Sequence, residues 1–308
     1  MQRILTYMID PKRYGVSFSI KQCRAFQIDP EATLDWLIAQ GWRRFRLMSY
    51  WDEAEQAPGQ FDFDALDRQI EQIAAAGGEV TLCLGARQPR WPENHWPDWA
   101  WKATKEERSA ALLGYIETVV SRYITQSCIV SYQLENEALL KSFGRRAEVD
   151  RKRLRQEFAL IKRLDPARPI IMSTSNSWGM PLRRPIPDIV GFSYYHVIWN
   201  RRLNRYTTAG QSAYLQRCRA WLIGRLLRRP CFIHELQVEP WAPKAIWEVD
   251  AAEQDKSMGP EHIAQSFKRA QRTGLAPVDI WGAEWWYWRA QHGDDSIWET
   301  VRQQLRSS

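Results

Sequence analysis

Two glutamates hold the chemistry open to this sequence. Glu137 closes the apolar, β-rich run CIVSYQLENE (128–137), and Glu235 lies near the end of PCFIHELQ (230–237), 98 positions further on. Two carboxylates facing each other across a pocket suit cleavage of a glycosidic bond. One stays protonated to donate to the leaving oxygen, while the other attacks the anomeric carbon or activates water. Their environments must then hold the two pKa values apart. Arg46, toward the end of RRFRLMSY (43–50), could keep one carboxylate ionised, because an opposite charge within ~4–6 Å lowers a carboxylate pKa by about 1–3 units. The competing structural role is a rim salt bridge, open to any single strand-end glutamate.

The elements that must position these groups can be marked from periodicity. Eight short apolar or β-branched runs occur at 14–19, 43–50, 79–85, 128–137, 169–176, 188–195, 230–237 and 278–288. Amphipathic segments lie between them, with apolar residues at i, i+3, i+4 and i+7. DPEATLDWLIAQG opens with an Asp-Pro start and stops at a glycine. Only SWGMPLRRPIP separates the fifth and sixth runs, and its three prolines leave room for little more than a turn. The expected fold is α/β, a single (β/α)8 TIM barrel over residues 1–308 with a short or missing fifth helix. An open doubly wound sheet is the alternative, but no glycine-rich phosphate loop follows the first strand.

In such a barrel the site forms at the C-terminal ends of the strands and in the loops after them. The polar residues collected there are Arg46, Asn136, Glu137, Tyr194, Tyr195, His196, His234, Glu235 and Glu284, with Trp285 and Trp286 beside the last. The chain holds 17 tryptophans, four of them in WPENHWPDWAW (91–101). Trp91, Trp96, Trp99 and Trp101 are therefore candidate platforms for the apolar faces of sugar rings, and packing under a lid is equally open to each. The long loop after the seventh strand adds Glu239, Trp241 and Trp247.

Composition bounds the remaining classes. The net charge of +7 reads as a mild basic bias spread along the chain. Arg87, Arg90 and NRRLNR (200–205) place positive charge toward the site face, either for an acidic glycan or, more plainly, as surface charge. RAWLIGRLLRR (219–229) is basic and apolar at helical spacing, which fits a membrane surface but fits better the sixth barrel helix packing on the core. Diffuse charge argues against nucleic acid as a partner, and no run reaches the ~18 apolar residues of a stable membrane insertion. The N-terminus reads as lacking a signal peptide, and five scattered cysteines read as reduced, so a cytoplasmic location is expected. The five histidines show no ligand spacing, and neither a metal nor another cofactor is expected.

On four features the sequence resembles the clan A retaining glycoside hydrolases, TIM-barrel β-glycosidases that include cellulase- and mannanase-like family five and β-galactosidase-like members. Asn136-Glu137 is similar to the clan's Asn-Glu acid/base motif, and Glu235 in FIHELQ to its nucleophile. YWDEAEQAPGQFDFDALD (50–67) resembles the stretch after strand two in β-galactosidase-like members, and WGAEWWYW resembles the clan's sugar-stacking tryptophan. The resemblance implies that Glu137 is the acid/base and Glu235 the nucleophile. It further implies that Asn136 binds a sugar 2-hydroxyl, with Arg46 and Tyr195 as donors to Glu235. Trp286, Glu284, Trp91 and Trp241 complete the substrate-binding set, and Glu135 is left structural. Ser193 and LGARQP depart from family five, which often carries histidines there.

The expectation is thus a retaining β-glycoside hydrolase with a carbohydrate substrate and a double-displacement mechanism. A transglycosylase on the same scaffold and a catalytically silent glycan-binding barrel are the alternatives.

Overall fold

Local signals start and stop the helices much as the sequence indicates. Asp29 caps the helix that begins at Pro30, its carboxylate accepting from Glu31 N. Thr104 and Glu107 form a reciprocal capping box. Gly274 ends a third helix in the left-handed conformation, φ +68°.

The structure is a computed structural model that describes residues 8–140, 144–145, 148–176 and 179–307. The first half of the chain runs β1 (Tyr14–Phe18), α1 (Ile20–Ala25), α2 (Pro30–Ala39), β2 (Arg44–Met48), α3 (Trp51–Ala54), α4 (Asp64–Ala75) and β3 (Glu79–Leu84). It continues through α5 (Asp98–Lys102), α6 (Lys105–Tyr123), β4 (Ile129–Leu134) and α7 (Arg151–Leu164). Next come β5 (Ile170–Thr174), β6 (Ile189–Tyr194), β7 (Val197–Asn200), β8 (Arg205–Thr208), α8 (Ala213–Leu227) and β9 (Cys231–Gln237). The last part is α9 (Ala251–Met258), α10 (Pro260–Thr273), β10 (Val278–Trp281), α11 (Ala283–Gln291) and α12 (Ser296–Arg306).

Eight of the strands close a barrel in the order β1-β10-β9-β6-β5-β4-β3-β2, every pair parallel. This is the (β/α)8 TIM barrel expected from the alternation. Among the described residues no helix lies between β5 and β6, in keeping with the proline-rich link. NRRLNR is the tip of an antiparallel hairpin, β7–β8, which periodicity did not separate from the surrounding loop.

The eighth run needs correction. VDIWGAEWWYW was expected as one strand, but β10 ends at Trp281 and Ala283–Gln291 is helical. Gly282, at φ +128°, makes the break in a conformation that L side chains rarely adopt. The aromatic residues that favour strands by propensity are here fixed by tertiary packing instead. Trp285 and Trp286 sit in the main core, where Trp286 stacks on Trp42 and Trp298 with centroids 6.1 and 6.0 Å away.

Inside the barrel the inward side chains are unusually polar. Thr81 and Ser131 share a 2.8 Å hydrogen bond, and His234 bridges Asp279 (2.6 Å) and Gln133 (2.7 Å). Burial, then the nearby Arg46 charge, lowers the His234 pKa to about 4. The imidazole therefore stays neutral and works as a strut.

Candidate active site

The β4 end shows how the chain aims its side chains. After Leu134 the backbone enters the left-handed region at Glu135 (φ +49°) and again at Glu137 (φ +43°). Neither residue is glycine, so each costs about 1–3 kcal/mol. The turn is held because Glu135, fully buried, accepts from the amides of Ala86 (3.1 Å) and Arg87 (2.7 Å). Asn136 and Glu137 are thereby presented to the mouth.

A β-bulge does the equivalent work on β9. Phe192 pairs with Ile233 and Ser193 with Glu235, so His234 is the extra residue. Adjacent strand residues normally point to opposite faces. The bulge lets His234 and Glu235 both turn inward, one into the polar core and one to its upper surface.

The two carboxylates meet through Ser193. Its hydroxyl lies 2.7 Å from Glu137 Oε1 and 3.5 Å from Glu235 Oε2. The nearest oxygens therefore cannot be farther apart than those two contacts laid end to end. Glu235 also accepts from Arg46 Nη2 at 2.8 Å and from the Tyr195 hydroxyl at 3.1 Å. Glu137 has neither donor, and its amide donates to Ser173 Oγ at 2.8 Å. Burial first, then the charge of Glu235, raises the Glu137 pKa to about 7. Burial also holds the Tyr195 phenol well above its usual pKa, with Glu235 adding to the effect, so it remains a donor.

Asn136 ties the pair to the barrel. Its Oδ1 accepts from Ser173 (2.8 Å), Arg46 (3.2 Å) and Gln133 (3.2 Å). Its Nδ2 donates to Glu93 Oε2 at 3.1 Å. Glu93 is a third buried carboxyl group at this site, its pKa pushed up to about 8 by burial and then by Glu235. Sequence reasoning misses it, since a glutamate in WPENHWP resembles any polar loop residue. Ser193 was visible only as a departure from a family pattern. No metal-binding group of three or more His, Cys, Asp or Glu occurs among the described residues.

Arg46, Asn136, Glu137, Tyr195 and Glu235 thus lie in one hydrogen-bonded network. Trp241, partly buried, stands edge-on to Tyr195 at 5.5 Å between centroids. Trp91 is 66% exposed on the loop after β3.

Other expected contacts do not belong here. Trp286 is 0% exposed and donates its indole N–H to Val238 O, so no sugar can stack on it. Glu284 is equally buried, accepting from Ser19 N (2.5 Å) and Arg90 (2.7 Å), and its role is structural. Trp96 packs against Trp51 and Trp101, and Trp99 donates to Glu55 O. Arg87 and Arg90 are buried rather than surface charges. Arg87 holds Leu140 O at 2.9 Å, and Arg90 pairs with Glu239 and Glu284. The guanidinium of Arg90 also lies 3.9 Å over Trp281, which is the aromatic residue at the true end of the eighth barrel strand.

Comparison with known proteins agrees with the barrel fold. Residues 44–115 match a glycoside hydrolase family model described as beta-galactosidase. Xylanase 10B from Thermotoga maritima shares the fold at a TM-score of 0.64 and 15% identity, with 96% of this chain and 95% of that chain covered. An exo-β-1,4-mannosidase from an Opitutaceae bacterium gives 0.61 and 15%, covering 100% and 62%. A β-galactosidase from the haloarchaeon Halorubrum lacusprofundi gives 0.56 and 14%, covering 87% and 52%. This chain spans only about half the length of that last protein. No curated protein matches it in sequence. The fold is shown, a closed (β/α)8 TIM barrel like those of these solved glycosidases. The stretch that matches the beta-galactosidase family model carries β2, β3 and the tryptophan-rich loop.

Proposed function

We propose that the protein is a retaining β-glycoside hydrolase, residues 1–308 acting as one catalytic domain. In the first step Glu235 attacks the anomeric carbon as the bond to the leaving oxygen breaks and Glu137 protonates that oxygen. A glycosyl ester on Glu235 results. In the second, Glu137 takes a proton from water, the water oxygen attacks the anomeric carbon, and the ester bond breaks to return the Glu235 carboxylate.

The observation that carries this reading is the unequal treatment of two adjacent carboxylates. Arg46 and Tyr195 both serve Glu235, matching a nucleophile that must be anionic and aimed. Glu137 is buried and, with a pKa near 7, keeps its proton in mildly acidic solution. Once Glu235 is esterified its charge is gone, the repulsion that adds to burial in raising Glu137 disappears, and Glu137 becomes the base. Their shared contact with Ser193 keeps the nearest oxygens short of the ~6.5–9.5 Å separation of an inverting pair.

Trp91 and Trp241 are assigned to the substrate as platforms near the mouth. The five free cysteines support a reducing compartment such as the cytoplasm. The test is activity on a panel of aryl β-glycosides and β-linked oligosaccharides, comparing wild type with Glu235→Ala and Glu137→Ala. Both variants should fold and fail to turn over the oligosaccharide cleaved by wild type. A 2-deoxy-2-fluoro glycoside of the same sugar should leave a covalent adduct on the peptide containing Glu235. Normal turnover by either variant sinks the assignment.

A further inference from the structure

Helix α8 has two faces that the barrel treats differently. Gln216, Arg219 and Ile223 are buried against the sheet, with the Arg219 guanidinium 4.2 Å over Phe192. Arg219 donates to Gly179 O (2.8 Å) and Thr174 Oγ1 (2.7 Å), and so ties down the link between β5 and β6. That link stands where the barrel's fifth helix would otherwise flank α8. Among the described residues no helix stands there, and apolar side chains that a neighbouring helix would cover remain in solvent.

Tyr214, Cys218, Trp221 and Arg225 follow i, i+4, i+7 and i+11 along the line farthest from the barrel. Tyr214 is 72% exposed, Trp221 64% and Leu226 62%. Leu215 and Leu226 lie on the side toward that link, and exposed Arg217 and Arg228 lie on the other. Beside Trp221 an open hollow of about 480 Å³, lined also by Arg217, Arg229 and Arg272, separates α8 from α10.

The charge is not spread evenly, contrary to the impression from composition. Residues 166–234 contain eleven arginines and one acidic residue, Asp188, which pairs with Lys162 at 2.7 Å. The segment is more positive than the whole chain at +7, so the remainder is net negative. Arg183 and Arg184, exposed in the link beside α8, extend the basic rim.

We propose that the outer face of α8, with the adjoining link, is a docking surface for a bilayer containing anionic lipid. Tyr214 and Trp221 would sit at the headgroup level and Leu215 and Leu226 at the acyl boundary. Arg217, Arg225 and Arg228 would meet phosphates. A second copy of the chain fits poorly, because a two-fold contact sets this arginine-rich face against itself. A soluble polyanion would satisfy the arginines and leave Trp221 and Leu226 in water. Among the described residues no helix is long and apolar enough to cross a membrane, so the contact is peripheral. Because α8 lies along the barrel wall, the barrel would rest on its side with the mouth opening along the lipid plane and unobstructed.

Flotation of the full chain with vesicles tests this. Wild type should float with phosphatidylcholine vesicles containing phosphatidylglycerol, not with phosphatidylcholine alone, and salt should weaken the association. Arg225→Gln and Arg228→Gln should each lower partitioning about fivefold. Trp221→Ser with Leu226→Ser should lower it at least as much, including at high salt. All four side chains are exposed, so circular dichroism and Tm should not change. The proposal is overturned if wild type does not float, or if neither set of variants alters flotation. It is equally overturned by a wild-type dimer that Trp221→Ser with Leu226→Ser dissociates, or by retention on heparin without flotation.

Discussion

Glu93 accepts a hydrogen bond from Asn136 at 3.1 Å, placing a third buried carboxyl group one residue away from Glu137. Its pKa near 8 means that Glu93 is neutral at and below neutral pH. A neutral carboxyl oxygen can accept from the Asn136 amide without adding a charge beside Glu235.

Glu93→Gln should therefore keep kcat/KM within a few-fold of wild type below pH 7, since glutamine retains the acceptor. Glu93→Ala leaves the Asn136 N–H unpaired, a loss of about 1–3 kcal/mol, or roughly five- to 150-fold in kcat/KM. Equal damage by both substitutions would show that Glu93 works as an anion instead.

The kcat/KM profile should have an alkaline limb with an apparent pKa near 7, set by the proton on Glu137. In Glu137→Ala, the residual rate on aryl glycosides with good leaving groups should lose that limb. A variant profile that still falls near pH 7 assigns the limb to another group.

Stability should follow the same proton in the same direction. The Glu137 pKa is raised in the folded state, from 4.5 to about 7, so the contribution is complete below pH 4.5 and lost as pH rises through 7. Its size is at most about 3 kcal/mol. Glu137→Gln should accordingly raise Tm relative to wild type at pH 8 and show little gain at pH 4, as read by calorimetry.

Tyr195→Phe removes one of the two strong donors to Glu235 and should lower kcat by about two orders of magnitude with the fold intact. An unchanged kcat in that variant would remove Tyr195 from the mechanism.

Two tryptophans should separate packing from binding. Trp286→Ala opens a cavity beside Trp42 and Trp298 and should cost about 3–5 kcal/mol of stability. Trp91→Ala should leave Tm unchanged and raise KM for the longer oligosaccharides.

The sequence by itself determined the architecture and the two carboxylates. Alternation of eight apolar runs with amphipathic helices is a property of local periodicity, and a barrel of that kind collects strand-end residues at one mouth, so Arg46, Asn136, Glu137, Tyr195 and Glu235 stand among the candidates, from which the family resemblance selects them. Tertiary structure decided what periodicity does not encode. The bulge at His234 turns two consecutive side chains inward, and the left-handed turn at Glu135 and Glu137 is stable only because the amides of Ala86 and Arg87 hold it. Gly282 ends the last strand early, which sends Trp286 and Glu284 to the core and leaves Trp281 at the strand end. The β3 loop buries Glu93 beside Asn136, while the link after β5, without a helix among the described residues, leaves one flank of α8 bare. Each of these is set by contacts between residues far apart in the chain, whose free energy exceeds local preference and leaves no trace in local spacing.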